Sequence, residues 1–389
     1  MSRRGTIRQD PESGLWGFVV DVAPLGAPRR QIRRRGFRTK REAQAELTKL
    51  NGSLDAGTFT EPTKITVAEW FGVWLAGLEV QGLSPTTIFS YRRNLETHVL
   101  PSIGAGRLQA LGVADLDRLY SRLLTEGRLN GQGGLSARTV RMVATVIQKA
   151  LGDAEKKGLV ARNVALAATA PSAKSAQAPE MAFWTPTELK QFLISVAGDD
   201  QFAFFRTAAM TGARRGELLG LLWDDVDLDA GRIRIHRQIV PMGRQIVTRE
   251  VPKTSHGRRT IDLDGETVAA LKDHRRRQME RRLLLGPGWR DNGLVFCGID
   301  GGQLDPGLVS QMFDRRVKTA GVPRIRFHDL RHTHCALLLR AGANVKVVSR
   351  RLGHASASFT LDRYAHVMPD DDQGAARAVA ALVDSVTGS

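Results

Sequence analysis

Residues 328–339 read HDLRHTHCALLL, a polar start followed by an apolar tail. The tail predicts a buried helix, and the three-residue spacing places His328 and Arg331 on the same face of it. An imidazole that can transfer a proton and a planar guanidinium fork are then held side by side on a rigid element. We therefore predict that this helix carries part of an active site.

The same segment contains three histidines, and a zinc site is the alternative interpretation. His328 and His332 have the i, i+4 spacing of a zinc-binding helix. However, the HExxH pattern is absent, and no acid or cysteine stands where a third ligand would be expected. We predict that the protein binds neither a metal nor a cofactor.

Three further motifs flank this helix in the sequence. Residues 211–219 read TGARRGELL, in which Thr-Gly is expected to end one helix. Arg214 is then expected on the first turn of the next helix, where the free backbone N–H groups favour an anion. Residues 352–356 read LGHAS, where Gly353 predicts a helix C-cap with His354 just beyond it. Tyr364 follows, and the only other tyrosines, Tyr91 and Tyr120, lie on apolar helical stripes typical of packing residues.

In this order, TGxRxxE, HxLR, LGH and a following tyrosine resemble the signature of the tyrosine recombinases, the phage integrase family. The resemblance implies DNA strand cleavage and rejoining through a covalent 3′-phosphotyrosine, without metal or ATP. The family lysine lies in a β-hairpin between the two arginine motifs, and the segment PKTSHGRRTI at 252–261 resembles that turn. The positions that match the family's catalytic residues are Arg214, Lys253, His328, Arg331, His354 and Tyr364.

The resemblance also implies a role for each position. Arg214 and Arg331 clamp the scissile phosphate, and His354 donates a hydrogen bond to it. Tyr364 is the nucleophile, and its hydroxyl, with an ordinary pKa of about 10, requires proton removal at neutral pH. His328 is the expected general base and Lys253 the expected general acid for the leaving 5′-oxygen. Glu217 matches a family acid that we interpret as structural.

The charge balance points to a polyanionic partner. The 389 residues carry 57 Lys and Arg against 40 Asp and Glu, a formal charge of +17. Double-stranded DNA is the expected partner, because phosphate neutralisation dominates non-specific affinity. A membrane surface is disfavoured, because the sequence contains no long apolar run. The two cysteines have no metal-binding spacing and favour a reducing, cytoplasmic compartment.

Periodicity predicts a multidomain protein, mainly α with small β-sheets. Residues 1–60 form a small β+α domain resembling arm-type DNA-binding domains, with strands at 16–22 and 29–35 and a helix opened by a capping box at Thr39. Residues 64–170 form a helical bundle resembling the core-binding (SAM-like) domain, 171–181 a linker, and 182–389 a mixed α+β catalytic domain. The catalytic domain is predicted to contain a β-meander at 232–263 and a tail helix at 375–383. The residues predicted to bind DNA in the first domain are Arg29, Arg30, Arg33, Arg34, Arg35, Arg38, Lys40 and Arg41.

The predicted function is therefore integration and excision of a phage or other mobile element at attachment sites, in the bacterial cytoplasm in association with the nucleoid. The resemblance implies core and arm DNA sites, a homotetramer on DNA, and accessory partners of the excisionase and host DNA-bending kinds. Three alternatives stay open from the residues: a DNA-binding regulator without catalysis, a metal-dependent nuclease or transposase, and a type IB topoisomerase-like enzyme.

Overall fold

The computed structural model describes residues 5–23, 28–177, 181–243, 245–250 and 257–365, together with 380 and 383. The chain forms two compact units, Met1–Ala178 and Pro179–Ser389. Both consist of helices with small antiparallel sheets, so the predicted fold class is confirmed. The division falls inside the segment predicted as a linker, 171–181. The finer boundary between 1–60 and 64–170 stays a prediction.

The N-terminal unit begins with a three-stranded antiparallel sheet of order β1-β2-β3. Its strands are β1 (Thr6–Gln9), β2 (Trp16–Asp21) and β3 (Gln31–Phe37), and helix α1 (Lys40–Asp55) packs on one face. Alternate residues of β2, Phe18 and Val20, are buried against Leu47 and Leu50 of α1. The sequence analysis did not predict β1, whose exposed residues show no apolar alternation. It predicted β3 two residues too early.

The rest of this unit is helical and has its own apolar core. Capping residues fix the helix starts: Thr66 and Glu69 form a reciprocal capping box, and Ser84 caps a helix that has Pro85 at its first position. The helices are α2 (Val67–Val80), α3 (Pro85–Asn94), α4 (Leu100–Ile103), α5 (Val113–Glu126) and α6 (Ala137–Lys156). A π-helical turn at Leu95–Val99 joins α3 to α4. Tyr91 and Tyr120 are buried in this core, as predicted.

The C-terminal unit is built on a second core that is rich in aromatic rings. Trp184, Phe192, Phe205 and Phe313 pack with ring centroids 4.9–5.9 Å apart. The helices are α7 (Pro186–Ser195), α8 (Phe202–Thr211), α9 (Arg215–Leu219), α10 (Gly265–Leu285), α11 (Pro306–Ala320), α12 (Asp329–Arg340), α13 (Val345–Leu352) and α14 (Ala357–Tyr364). The apolar tail of the opening segment is thus a buried helix, α12.

The predicted single meander at 232–263 is wrong, because the strands form two separate sheets. The strands are β4 (Val226–Asp227), β5 (Arg232–Ile235), β6 (Arg237–Met242), β7 (Gln245–Glu250) and β8 (Arg259–Asp262), paired as β4-β5-β8 and β6-β7. Strand β5 pairs with β8 because Ile233, Ile235 and Ile261 share the main core. The β6-β7 hairpin is therefore an insertion between the paired strands β5 and β8. Periodicity along the chain cannot distinguish the two arrangements.

Two sequence predictions fall outside the described residues. Lys253 lies in the segment 251–256, between β7 and β8. The predicted tail helix at 375–383 is described only at positions 380 and 383. None of the described helices is long and apolar enough to cross a bilayer.

Candidate active site

The turn between α8 and α9 fixes one wall of the site. Gly212 ends α8 in the left-handed region at φ +62°, and its carbonyl accepts a hydrogen bond of 2.9 Å from Arg331 Nη1. A Cβ at this position would lie 2.5 Å from Leu352 Cδ2 and 2.9 Å from His334 Cδ2. Only glycine therefore allows α12 and α13 to approach this turn so closely.

Arg214 is the N-cap of α9, one position before the helix, rather than on its first turn as predicted. Its backbone is extended, at φ −68° and ψ 148°. Its Nη1 donates to Glu217 Oε1 at 2.8 Å, and its Nη2 donates to the carbonyl of Gly353 at 3.1 Å. The Arg214 side chain therefore links the segment 211–219 to the end of α13, which His354 follows directly.

Glu217 is a buried carboxylate that pairs with two arginines, the buried side chain of Arg259 and the partly exposed side chain of Arg214. It is 2% exposed and accepts two hydrogen bonds from Arg259, at 3.0 Å to Oε1 and 2.8 Å to Oε2. Burial opposes its ionisation, but the bonds and charges of Arg259 and Arg214 outweigh burial and lower the Glu217 pKa to about 2. The carboxylate therefore stays charged and offsets part of the positive charge of the site.

Arg259 was missed by the sequence prediction. It is the first residue of β8, and its Nε donates to the carbonyl of Arg351 at 2.7 Å, which connects β8 to α13. In the sequence it follows Arg258 in a basic turn and has the appearance of a surface charge. Its only distinguishing signal is the alternation with Ile261 that marks an inward-facing strand position.

Arg331 carries an unsatisfied cationic group into the site. The residue is 4% exposed, and its Nη2 has no hydrogen-bond partner among the described residues. Burial, followed by the charge of Arg214, lowers its pKa to about 9, so the guanidinium remains protonated at neutral pH. A buried charged N–H without a partner costs free energy, and an anionic oxygen would satisfy it.

Tyr364 ends α14 and points into the same region. It is 1% exposed, and its hydroxyl forms a hydrogen bond with His332 Nδ1. Burial raises the pKa of this phenol above its usual value of 10. In the sequence analysis His332 was considered only as a zinc ligand, whereas the structure places its ring against the tyrosine hydroxyl.

His328 lies next to this pair without joining it. It is the N-cap of α12 instead of lying inside the helix, and its ring meets that of His332 edge to face at 5.2 Å. No hydrogen bond joins His328 to Tyr364 in the part of the chain that is described. Burial, followed by the charge of Arg331, lowers the pKa of His328.

His354 follows the C-cap glycine of α13, as predicted. Gly353 has φ +70°, and the His354 ring is oriented by a 2.8 Å hydrogen bond between Nδ1 and Thr360 Oγ1. Burial, followed by the charges of Arg331 and Arg214, lowers its pKa to about 3. The ring is neutral at physiological pH, with Nε2 available for another partner.

The three histidines of the opening segment do not converge. His332 contacts Tyr364, whereas His334 accepts a 3.2 Å hydrogen bond from Arg351 Nε. Within the described ranges there is no group of three His, Cys, Asp or Glu residues that could hold a metal ion. The site thus combines five of the six predicted catalytic positions, and Lys253 lies outside the described residues.

The register of the sheet places the basic residues of the stretch 29–41 in different environments. Arg33 is opposite Val19 and Arg35 is opposite Gly17, on the face away from α1. Arg34 is opposite Phe18 on the covered face, where its Nη1 lies 3.3 Å from Glu46. Arg29 and Arg30 form ion pairs with Asp21 and Glu61, and the exposed residues of the remainder are Arg38, Lys40 and Arg41. Register also adds Arg8, opposite Gly17, to the open face.

Comparison with known proteins connects this geometry to a family. Residues 187–370 match the model of the Phage integrase family, residues 6–54 match an Arm DNA-binding domain, and residues 66–124 match a Phage integrase N-terminal SAM-like domain. The chain belongs to the phage integrase family of tyrosine recombinases. It is a tyrosine site-specific recombinase, an enzyme that cleaves and rejoins DNA strands.

Relatives that match most of the chain, and one solved structure, are similar to this protein. A tyrosine recombinase XerC-like protein of Caldanaerobacter subterraneus is 27% identical, covering 85% of this chain and 87% of its own. The ICEBs1 integrase of Bacillus subtilis is 26% identical, covering 92% of this chain and 91% of its own. A structure of the Tn1549 transposon integrase in complex with transposon right end DNA has the same fold, with a TM-score of 0.64, 21% identity and coverage of 81% and 100%.

Proposed function

We propose that this recombinase integrates and excises a mobile element, with Tyr364 as the nucleophile and Arg214, Arg331 and His354 around the scissile phosphate. The observation that carries the proposal is the unsatisfied Nη2 of buried Arg331. It lies in the same site as a buried tyrosine hydroxyl that is already hydrogen-bonded to a neutral histidine. A phosphodiester oxygen is the anion that a DNA recombinase brings to such a group.

The chemistry follows from how charge develops. Attack by the Tyr364 oxygen on phosphorus gives a pentacoordinate state with more negative charge on the non-bridging oxygens. Two fixed guanidiniums, Arg214 and Arg331, match that charge without reorganising, and losing one preorganised donor costs about 10²–10³ in rate. His354 is held by Thr360 through Nδ1, and in the tautomer that is protonated on Nε2 it offers that nitrogen as a neutral donor. Lys253 stays the predicted acid for the 5′-oxygen.

The N-terminal unit is proposed to hold DNA in two ways. The open sheet face with Arg8, Arg33 and Arg35 carries the positive charge to bind DNA at an arm site, where β-strands of other proteins read the major groove. Residues 64–170 would hold the core site. Linking two binding modules raises affinity through effective concentration. Residues 1–60 are therefore expected to be required for integration and dispensable for core-site cleavage.

The assembly and cellular setting are proposed from the reaction. Recombination of two duplexes exchanges four strands, and four active sites in a homotetramer supply one nucleophile for each. An excisionase and a host DNA-bending protein would set direction and bring distant sites together. Because bacterial relatives match most of the chain, the nucleoid is the proposed place of action.

The decisive experiment is a trapping assay. Purified protein is incubated in EDTA with nicked suicide DNA carrying the core site of the element that encodes it. An SDS-resistant adduct is expected from the natural protein and from Tyr120→Phe, whose buried hydroxyl has no partner among the described residues. No adduct is expected from Tyr364→Phe.

The alternative functions predict other outcomes. A metal-dependent nuclease would lose its activity in EDTA. A topoisomerase-like enzyme would relax supercoils without requiring paired sites. An active, DNA-bound protein that forms no adduct on a verified site would indicate a binding-only regulator and reopen the role of Tyr364.

A further inference from the structure

The hydroxyl of Tyr364 is held by a residue outside the six catalytic positions. His332 lies on α12, one turn beyond His328, and its Nδ1 forms a hydrogen bond with the tyrosine hydroxyl. The two ring centroids are 5.8 Å apart. His332 is 9% exposed, so bulk water has little access to this contact.

The charge state of His332 suits proton acceptance. Burial, followed by the charges of His328 and Arg331, lowers its pKa to about 4, so the ring is neutral at physiological pH. The charged groups that face it are Asp329 on the same helix, which raises the pKa, and Arg363 on α14, which lowers it. In the tautomer that carries its proton on Nε2, the neutral ring accepts the hydrogen bond of the Tyr364 hydroxyl at Nδ1.

Two neighbouring groups are poorer acceptors. The ring of His328 packs against the ring of His332, with the two centroids 5.2 Å apart. Within the described ranges, His328 forms no hydrogen bond with Tyr364. Cys335 also forms a hydrogen bond with Tyr364, but burial raises the pKa of its thiol to about 12, so the thiol remains protonated and its sulfur is a weak acceptor. Of these three side chains, His332 is the one that combines a hydrogen bond to the hydroxyl with a ring nitrogen basic enough to take its proton.

We propose that His332 is the general base that receives the Tyr364 proton during DNA cleavage. The inference rests on the proposed function. The proton moves from the phenol oxygen to Nδ1 and leaves an imidazolium, while the oxygen electron pair forms the O–P bond. The P–O5′ bond breaks, its electron pair stays on the 5′-oxygen, and that oxygen takes a proton from a separate acid, predicted to be Lys253. The reverse transfer restores tyrosine on rejoining.

The bound substrate assists this transfer. In the DNA-free site, positive charge on Arg331 disfavours a second cation on His332. A phosphodiester anion beside Arg331 offsets that charge, so the proton affinity of His332 rises when DNA arrives. The proton affinity of His332 therefore comes closer to that of the Tyr364 phenolate only when a phosphate is present.

Replacing tyrosine with a more acidic fluorinated tyrosine at position 364 tests the proposal. His332→Asn keeps a hydrogen-bond acceptor near Nδ1 but cannot take a proton, and we expect single-turnover adduct formation on the suicide DNA to fall about 10²–10⁴-fold. With fluorotyrosine at 364, this deficit should shrink about tenfold or more, because a more acidic phenol depends less on a base. Arg331→Lys should show no such recovery.

The controls separate a chemical role from a structural one. His274→Gln changes another buried histidine, which bonds the Val295 carbonyl at 2.8 Å, and should cleave normally. Thermal unfolding checks each variant, with His332→Gln as the substitute if His332→Asn does not fold. In DNA-free protein, the ¹⁹F resonance of fluorotyrosine 364 should move in the His332 variant and not in His274→Gln.

Each contrary result has a distinct meaning. Recovery by fluorotyrosine in His328→Asn, but not in His332→Asn, would transfer the base role to His328. Wild-type cleavage by His332→Asn, or a deficit that fluorotyrosine leaves unchanged, would overturn the proposal while leaving the recombinase mechanism intact. Absence of an adduct from the natural protein would instead contradict the proposed function itself.

Discussion

Arginines serve opposite purposes in strand β3 and in the C-terminal unit. Arg33 and Arg35 lie exposed on an open sheet face, whereas the side chain of Arg259 and the whole of Arg331 are each 4% exposed. Exposed cations attract a polyanion over a Debye length and are screened by salt. Buried cations act at fixed geometry, and each requires a dedicated acceptor, which Glu217 and the Gly212 carbonyl provide. The same residue type thus gives salt-sensitive attraction in one region and a preorganised site in the other.

The largest expected effect is the loss of the buried acceptor. Glu217→Gln leaves Arg259 buried without its counter-charge, and breaking such a pair costs about 3–5 kcal/mol in the free energy of unfolding. Glu46→Gln breaks the exposed Arg34 pair, which is worth about 0–1 kcal/mol. Denaturant unfolding of the two variants measures the difference. Equal losses would show that burial does not distinguish these ion pairs.

An intermediate loss of stability is expected at acid pH, and it should be larger in the C-terminal unit, because the N-terminal unit holds one histidine with a lowered pKa, His98. The pKa values of His332, His334 and His354 are lowered to about 4, 3 and 3, so the folded state binds fewer protons than the unfolded chain. Their stabilising contribution is complete above the unfolded pKa of about 6.5 and is lost as pH falls toward the folded values. Each contributes a loss of about 2 kcal/mol between pH 7 and pH 5, less where neighbouring histidines titrate together.

Hydrogen exchange of the full chain at the two pH values measures this loss by region. Protection should fall in the C-terminal unit and change little in residues 1–178, where His98 is the only histidine. His334→Gln should flatten the dependence on pH. Equal losses of protection in both units would indicate that these histidines do not cause the dependence on pH.

The smallest effect is expected from the open sheet face. Arg33→Ala or Arg35→Ala should each weaken binding to arm-site DNA by about 1 kcal/mol and reduce the slope of log K against log salt by about 1. Arg34→Ala is the matched control, because its side chain faces α1 and pairs with Glu46. Fluorescence anisotropy across a salt series gives both quantities. A change of equal size in Arg34→Ala would contradict the assignment of faces.

Local patterns predicted much of the fold correctly. Helix α1 begins after its N-cap Thr39 and α12 is a buried helix, as predicted, because the residues that specify each helix lie within one short segment. The sheets were predicted less well. Strand β1 lacks apolar alternation, and the separation of β6-β7 from β5-β8 depends on which isoleucines reach the core. Such pairing is non-local, so it leaves little trace in any short window of sequence.

The candidate site shows the same division. Motifs that are specific in combination predicted the catalytic positions Arg214, His328, Arg331, His354 and Tyr364, and the structure brings these five side chains into one region. The roles of Arg259 and His332 were not found, because each depends on a partner far along the chain. Arg259 meets Glu217 across 42 positions, and His332 meets Tyr364 across 32.

The sequence by itself determined the family signature, the basic character and most helices of this protein, since each of these depends on composition or on contacts within a few residues. Tertiary structure alone decided which arginines are buried and which face the solvent, and which histidine touches the nucleophile. The physical reason is that burial and hydrogen bonding depend on elements packed from distant parts of the chain. The charge state of each buried group, including the neutral ring of His332 beside Tyr364, follows from that packing.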